Sequence, residues 1–235
     1  MAKRSKLYRA QLEKYEKLKQ YTLADAVKLL KEFPAVKFDQ TVELSFKLGV
    51  DPKQTDQTVR GAVPLPRGTG KKVSVVVIAD DERHRQEALD SGADVVGFED
   101  VLARIKEGWL DFDVLIATPS AMSQVRPLGR QLGPKGLMPN PKTGTVTDKV
   151  GHAVAEAKAG RVEFRADKGA CVQVPIGKLS FEADALCENA IAVVRALVKA
   201  KPASAKGVYI QSVTLSGTMT PGIKIDTREV TKEMP

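Results

Sequence analysis

The chain has 235 residues, 43% of them hydrophobic and 28% charged, a globular balance that excludes a disordered tail. Thirty-seven lysines and arginines face 29 acids, a net charge of +8, which favours a polyanionic partner, nucleic acid before an anionic membrane. No apolar run approaches the roughly 20 residues of a membrane span, and no apolar signal core follows the basic start Met1-Ala2-Lys3-Arg4-Ser5-Lys6, so the chain is expected to stay in the cytoplasm.

Residues 3–20 read as a basic helix, with Tyr8, Leu12, Tyr15 and Lys19 recurring at helical spacing. Thr22 is placed to cap the next helix, with Asp25 three residues on and Leu23, Ala26, Val27 and Leu30 as its apolar stripe; Phe33-Pro34 ends it. Thr41–Val50 alternates: Val42, Leu44, Phe46, Leu48 and Val50 against Glu43, Ser45 and Lys47. This predicts a strand buried on one face only.

The pattern then changes. Val73–Ala79 and Asp113–Ala117 are nearly continuous apolar strands, the mark of burial on both faces. Between them come a helix over 82–91, a short strand at Asp94-Val95-Val96-Gly97 and a helix over 99–107. Strands alternating with helices predict a small doubly wound parallel unit. Gly129–Thr145 is dominated by glycine and proline, and no regular element fits it; Lys149–Ala159 reads as a helix ended by Gly160.

One-sided character returns afterwards. Arg161–Arg165 and Ala170–Pro175 read as short strands. Residues 182–200 form a helix striped by Leu186, Ala190, Val193, Val194 and Leu197; Val208–Leu215 and Ile223–Ile225 are the last strands. A single continuous sheet is the alternative, but the switch in strand type favours two domains. One is discontinuous, residues 1–67 plus 160–235, and the other, residues 68–159, is inserted into it. The two crossings, at Arg67-Gly68 and Ala159-Gly160, would act as a hinge.

Charge follows the same division. Residues 1–31 hold nine bases, Lys3 and Arg4 among them, and three acids, whereas residues 80–113 hold eleven acids and four bases. A polyanion would avoid the middle of the chain and prefer its ends. Cys171 and Cys187 lack paired spacing and sit in apolar stretches, where a buried thiol is expected; His84 and His152 lack metal-ligand spacing, so no metal and no cofactor are expected.

Enzyme signatures fail on detail. Gly68-Thr69-Gly70-Lys71-Lys72 lacks the earlier glycine of a phosphate loop, where Leu65 stands, and the hydroxyl residue after the lysine, where Lys72 stands. The strand Val73–Ala79 runs into Asp80-Asp81-Glu82, which would repel a pyrophosphate. A nucleotide-binding enzyme built on the middle of the chain is therefore the alternative reading, not the main one. Aromatic residues are only 5%, too few for an extended base-stacking platform, so an RNA partner would be read through backbone, shape and 2′-hydroxyl contacts.

A series of ordered motifs carries a resemblance. They are Lys37-Phe38-Asp39-Gln40-Thr41-Val42-Glu43, Asp56-Gln57-Thr58-Val59-Arg60-Gly61, Asp111-Phe112-Asp113, the run Leu132–Lys142, Arg165-Ala166-Asp167-Lys168-Gly169, Ile176-Gly177-Lys178, Ala205-Lys206-Gly207 and Thr218-Met219. In this order they resemble the ribosomal protein L-one family, which builds the mobile stalk beside the transfer-RNA exit site of the large ribosomal subunit. The likeness reaches to about Ile225, and the basic N-terminal helix looks like the bacterial form.

The resemblance implies an α/β fold of two domains. The discontinuous one would be a two-layer α+β domain, a mostly antiparallel sheet covered on one side by helices. The inserted one would be a three-layer Rossmann-like α/β/α domain. It also implies a non-enzymatic monomer in the ribosome, bound to the stalk region of 23S rRNA. Such a protein helps release deacylated tRNA from the exit site and represses its own operon mRNA, and it has no membrane partner. A free repressor acting only on messenger RNA would use the same face, and sequence does not separate the two roles.

The rRNA-binding residues it implies are Lys37, Phe38, Thr41 and Glu43, with Lys168, Ser216, Thr218, Met219 and Pro221 coming up beside them. Lysine would meet phosphate and the threonines sugar oxygens, with Phe38 and Met219 shielding those bonds from water. Core packing is the other reading of Phe38. Glu43 could accept from a 2′-hydroxyl, orient Lys168 or face solvent. Gly129–Thr145 is either a structural loop or an accessory RNA loop using Arg130, Lys135 and Lys142, with the structural reading preferred. Two departures fall near this face: Thr220 stands where the family has glycine, and would be strained at positive φ, and Gln173 where it has histidine.

Overall fold

The structure is a computed structural model that describes residues 5–34 and 36–228. Lys3 and Arg4 of the basic N-terminal segment lie outside the described residues. The chain divides into two compact units, Met1–Gly70 with Val162–Pro235, and Lys71–Arg161.

The first unit begins with α1 (Lys6–Glu13), shorter than the helix expected over 3–20. It stops there because Tyr15 turns inward: the ring is 9% exposed and its hydroxyl donates to the Gly222 carbonyl at 3.1 Å. Thr22 caps α2 (Leu23–Lys31), accepting from Asp25 N at 3.1 Å, and Leu23, Ala26, Val27 and Leu30 are its buried stripe. The sheet comprises β1 (Thr41–Leu48), β7 (Cys171–Lys178), β8 (Ile210–Gly217) and β9 (Ile223–Ile225), all antiparallel, in the order β7-β1-β8-β9. Together with α2, the long helix α8 (Ala183–Lys199) packs on one face of this sheet. There Val42, Leu44, Phe46 and Leu48 of β1 meet Val172, Val174, Val213, Leu215 and the helix stripes in a single core. Each fully buried aliphatic side chain of this kind contributes roughly 1.5–3 kcal/mol.

Among the described residues no helix covers the other face. Alternation along β1 leaves Glu43, Ser45 and Lys47 there, opposite Pro175, Gln173 and Cys171 of β7 and Ser216, Thr214 and Ser212 of β8. A separate two-stranded sheet pairs β2 (Arg60–Pro64) with β6 (Arg161–Arg165). It requires glycine at 61, where a Cβ would stand 2.7 Å from the Phe164 ring.

The second unit is a three-stranded parallel sheet in the order β4-β3-β5, made of β3 (Val75–Ile78), β4 (Val95–Gly97) and β5 (Val114–Ala117). Val75 and Val77 face α3 (Glu82–Asp90) and α7 (Val150–Ala159). Val76 and Ile78 point the other way, into a cluster with α4 (Glu99–Lys106) and the single-turn helices α5 (Met122–Val125) and α6 (Gly129–Leu132). Every residue of β3 is buried, as its unbroken apolar run requires. The fold is thus the expected α/β combination of a one-sided antiparallel layer and a three-layer α/β/α sandwich.

Neither cysteine is in a disulfide, and both are only half-buried, not fully buried as their apolar neighbours suggested. Cys171 sits on the open sheet face, across from Lys47.

Candidate nucleic-acid interface

Three strand ends converge where β1 begins. Thr41 pairs with Lys178, the last residue of β7, and Val42 with Gly217, the last of β8. Lys178 Nζ donates to Thr41 Oγ1 at 2.9 Å. Thr41 N donates to Thr218 Oγ1 at 3.2 Å, and that hydroxyl donates back to the Thr41 carbonyl at 3.4 Å. The hydroxyls are therefore polarised in opposite senses. Thr41 Oγ1 accepts from the ammonium and keeps its proton for an outside acceptor, whereas Thr218 Oγ1 has spent its proton and keeps a lone pair. A 2′-hydroxyl, donor and acceptor at once, matches both; a phosphate oxygen matches only the first.

Apolar groups flank these polar ones. Met219 is 52% exposed and Phe38 51%. Phe38 is not a core residue, which removes the packing reading. Asp39 fixes the segment that carries Phe38 and the exposed Lys37, its carboxylate accepting from Ser180 N at 3.1 Å and Ser180 Oγ at 2.7 Å. Glu43 and Ser216 are cross-strand neighbours on the open face, and Pro221 is buried behind the turn.

Lys168 is placed elsewhere. It belongs to the turn between β6 and β7, where Asp167 Oδ1 accepts from Gly169 N at 2.8 Å and Cys171 N at 2.7 Å, and Lys47 donates to the Gly169 carbonyl. Because β7 is antiparallel to β1, its start meets Lys47 and its end meets Thr41, six residues away, about 20 Å along the strand. Lys168 therefore does not come up beside Thr218-Met219, and Glu43 does not orient it. The lysine at the Thr41 end is Lys178, which sequence reasoning quoted in a motif but did not assign; its place at the end of the β7 alternation was the available signal. Around Lys168 bases nonetheless outnumber acids, with Asp167 and Asp51 the acids beside them. Arg165 and Lys168 line one hollow, and Lys47 and Lys206 line another. Ser45, Gln173, Thr214 and Lys224 lie between the two ends on the open face.

The departures are accommodated. Ala170 is the sole non-glycine residue at positive φ among the described residues, so Thr220 is unstrained. Its hydroxyl accepts from Gly217 N at 2.7 Å and closes the turn. Gln173 is exposed opposite Ser45.

In the second unit the Gly129–Thr145 stretch has a structural frame. Leu132, Thr143 and Thr145 are buried, Asn140 N donates to Thr145 Oγ1 at 2.8 Å, and Ala117 N at the end of β5 donates to the Thr145 carbonyl at 3.0 Å. Arg130, Lys135 and Lys142 stay exposed on that frame. The carboxyl ends of β3 and β5, where open α/β sheets bind ligands, carry Asp80. Hydrogen bonds from Ser120 and then Thr118 hold its carboxyl below the usual range, so a charged carboxylate occupies the place a phosphate would take. No group of three or more metal-ligating side chains is assembled among the described residues.

At the first crossing, Arg67 makes a two-point ion pair with Glu188 at 2.7 and 3.1 Å, and its N–H donates to Asn189 Oδ1 at 3.0 Å. Asn189, fully buried, donates in turn to the Gly68 and Ile176 carbonyls at 3.0 and 2.7 Å. Arg67 and Gly68 are thus tied to α8 within the first unit. At the other crossing Ala159 ends α7, and Gly160 follows in the left-handed conformation at φ 102°.

Residues 30–221 match the family model described as "Ribosomal protein L1p/L10e family". The chain is 51% identical to the large ribosomal subunit protein uL1 of Chlamydia caviae over 230 residues, covering 98% of this chain and 99% of that protein.

Proposed function

The chain belongs to the ribosomal protein L1p/L10e family, and on that premise we propose that its open sheet face binds the stalk region of 23S rRNA. It is a structural, non-enzymatic constituent of the large ribosomal subunit, at work on the ribosome in the cytoplasm. One observation carries the RNA reading: Thr41 and Thr218 present a hydroxyl donor and a hydroxyl acceptor side by side, with the Lys178 ammonium behind and Phe38 and Met219 exposed around them. That set suits a ribose flanked by phosphate, with the apolar groups excluding water from the bonds. The cationic surface around Lys168 supplies a second anchor at the far end of the face.

The same face serves any RNA that repeats the stalk shape. Repression of the chain's own operon mRNA, by a mimic of the rRNA site, is therefore part of the proposal. So is assistance in releasing deacylated tRNA from the exit site. That role needs the inserted domain, expected over residues 68–159, to move on the discontinuous domain, residues 1–67 plus 160–235. Because Arg67 and Gly68 are held to α8, we assign the pivot to the links where the two compact units divide, after Gly70 and after Arg161. Arg130, Lys135 and Lys142 are accessory RNA groups on the inserted domain. The protein acts as a monomer.

The test is titration of the purified chain against a short stalk rRNA fragment and an unrelated hairpin at several salt concentrations. Selective binding with a shallow salt slope is expected, because hydrogen bonds and shape carry no counterion release. Equal, weak binding to both RNAs with a steep slope would leave only general basic attraction and defeat the assignment.

A further inference from the structure

Thr218 and Met219 are exposed at the tip of a turn, yet the turn is not free to choose its shape. Three of its four backbone donors are turned inward. Gly217 N donates to Thr220 Oγ1 at 2.7 Å, Thr220 N to the Gly217 carbonyl at 3.2 Å, and Met219 N to Gln40 Oε1 at 2.8 Å. Two of these three acceptors are side-chain oxygens. Gln40 is only 1% exposed and stands just before β1, its carbonyl accepting from Leu179 N at 2.8 Å. It therefore links all three strand ends: its own β1, the segment after β7, and the turn after β8. Gly217 is squeezed between the two side chains, since a Cβ there would lie 3.3 Å from Gln40 Oε1 and 3.3 Å from Thr220 Oγ1.

We infer that Gln40 and Thr220 are positioning residues for RNA recognition, a two-point clamp that fixes the Thr218-Met219 turn in its binding shape before RNA arrives. This rests on the RNA reading of the open sheet face. The clamp consumes the Gly217 and Met219 amides, so the turn offers RNA the Thr218 hydroxyl and the Met219 thioether and not a row of N–H groups. It also removes ordering cost at the moment of binding, because a loop already held in its bound conformation loses little freedom on association. Neither clamp residue touches the ligand: Gln40 is shut off from the surface, and the Thr220 hydroxyl is engaged with Gly217.

The test uses the full chain and three variants. Thr220→Val is nearly isosteric and removes the acceptor, Thr220→Ser keeps it, and Gln40→Leu removes the other acceptor. Thr220→Val is expected to bind the stalk fragment about tenfold more weakly, with a Tm close to that of the unsubstituted chain and unchanged binding to the unrelated hairpin; Thr220→Ser restores the affinity. Should Gln40→Leu fail to fold, the valine and serine pair decides alone. Amide hydrogen exchange read by NMR adds a signal independent of RNA: Gly217 and Met219 are expected to be protected in the unsubstituted chain, and Gly217 to lose protection in Thr220→Val. Unaltered protection and affinity in Thr220→Val would overturn the clamp. If the unsubstituted chain does not select stalk RNA but the exchange pattern holds, the RNA reading fails and the clamp stands as a feature of the fold.

Discussion

The Lys178 ammonium donates to the Thr41 hydroxyl at 2.9 Å and thereby sets which way that hydroxyl can act. With a lone pair engaged, Thr41 becomes a donor to whatever approaches the end of β1. Lys178→Met keeps most of the aliphatic stem and removes the charge. We expect a complex with stalk RNA weakened about tenfold and an unchanged Tm. Calorimetric titration at one fixed salt, alongside a thermal melt, reads both; full affinity would remove Lys178 from the interface.

Thr218→Ala and Met219→Ala are each expected to weaken RNA binding without unfolding the chain, Thr218→Ala by about tenfold. The threonine effect has a chemical signature. A stalk fragment carrying a single 2′-deoxy substitution at the contacted ribose should bind the unsubstituted chain more weakly, yet bind Thr218→Ala no worse than the all-ribose fragment does. Such a cycle isolates the pairwise bond. Additive losses at every ribose scanned would mean that Thr218 does not meet a 2′-hydroxyl.

Asn189 is a stability residue. Its side chain serves three backbone groups, Arg67 N and the carbonyls of Gly68 and Ile176, all at 3.0 Å or less. Asn189→Leu leaves these groups without their partner in a buried setting, and a loss of about 3 kcal/mol follows. Urea denaturation measures it, and a change under 1 kcal/mol would mean that water replaces the amide at no great cost.

Asp113 makes the second unit sensitive to acid. The Lys71 ammonium, 2.5 Å from the carboxylate, and next the Ser74 N–H hold its pKa below the ordinary 3.8. A depressed folded value stabilises the fold above 3.8, and that contribution is lost as the pH falls through the folded value. Asp94, held down by the Val75 N–H first and Lys158 second, acts in the same sense. Asp113→Asn should therefore be less stable than the unsubstituted chain at neutral pH, with the difference closing as the pH drops below 3.8. A gap independent of pH in denaturation curves would place the effect in packing instead.

Elements with a strong local signal were legible in the sequence. Strict alternation from Val42 to Leu48 revealed both the strand and its one bare face, and the unbroken run through Val75–Ile78 revealed burial on both sides. Thr22 and Gly160 marked helix ends by cap chemistry alone. What depended on pairing was not legible. The end of the sheet that receives Lys168 is fixed by the register of β7 on β1, a contact between residues more than a hundred positions apart. β2 escaped notice because Gly61 breaks its pattern, and the glycine is there for Phe164, which no local window contains. Lys178 carried no assignment within its motif, because its partner Thr41 stands on another strand 137 positions away.

Strand order gives the sheet another property. Its outer strands are β7 and β9, and both are poor templates for a further strand. β9 is three residues long, and β7 carries Pro175, which has no amide to offer, beside a register shift between Val42 and Glu43. The sheet thus exposes a polar face, while Pro175 interrupts the row of hydrogen-bonding groups along one rim and the other rim is short. Copies of the protein waiting for assembly can crowd together without stitching their sheets into one another.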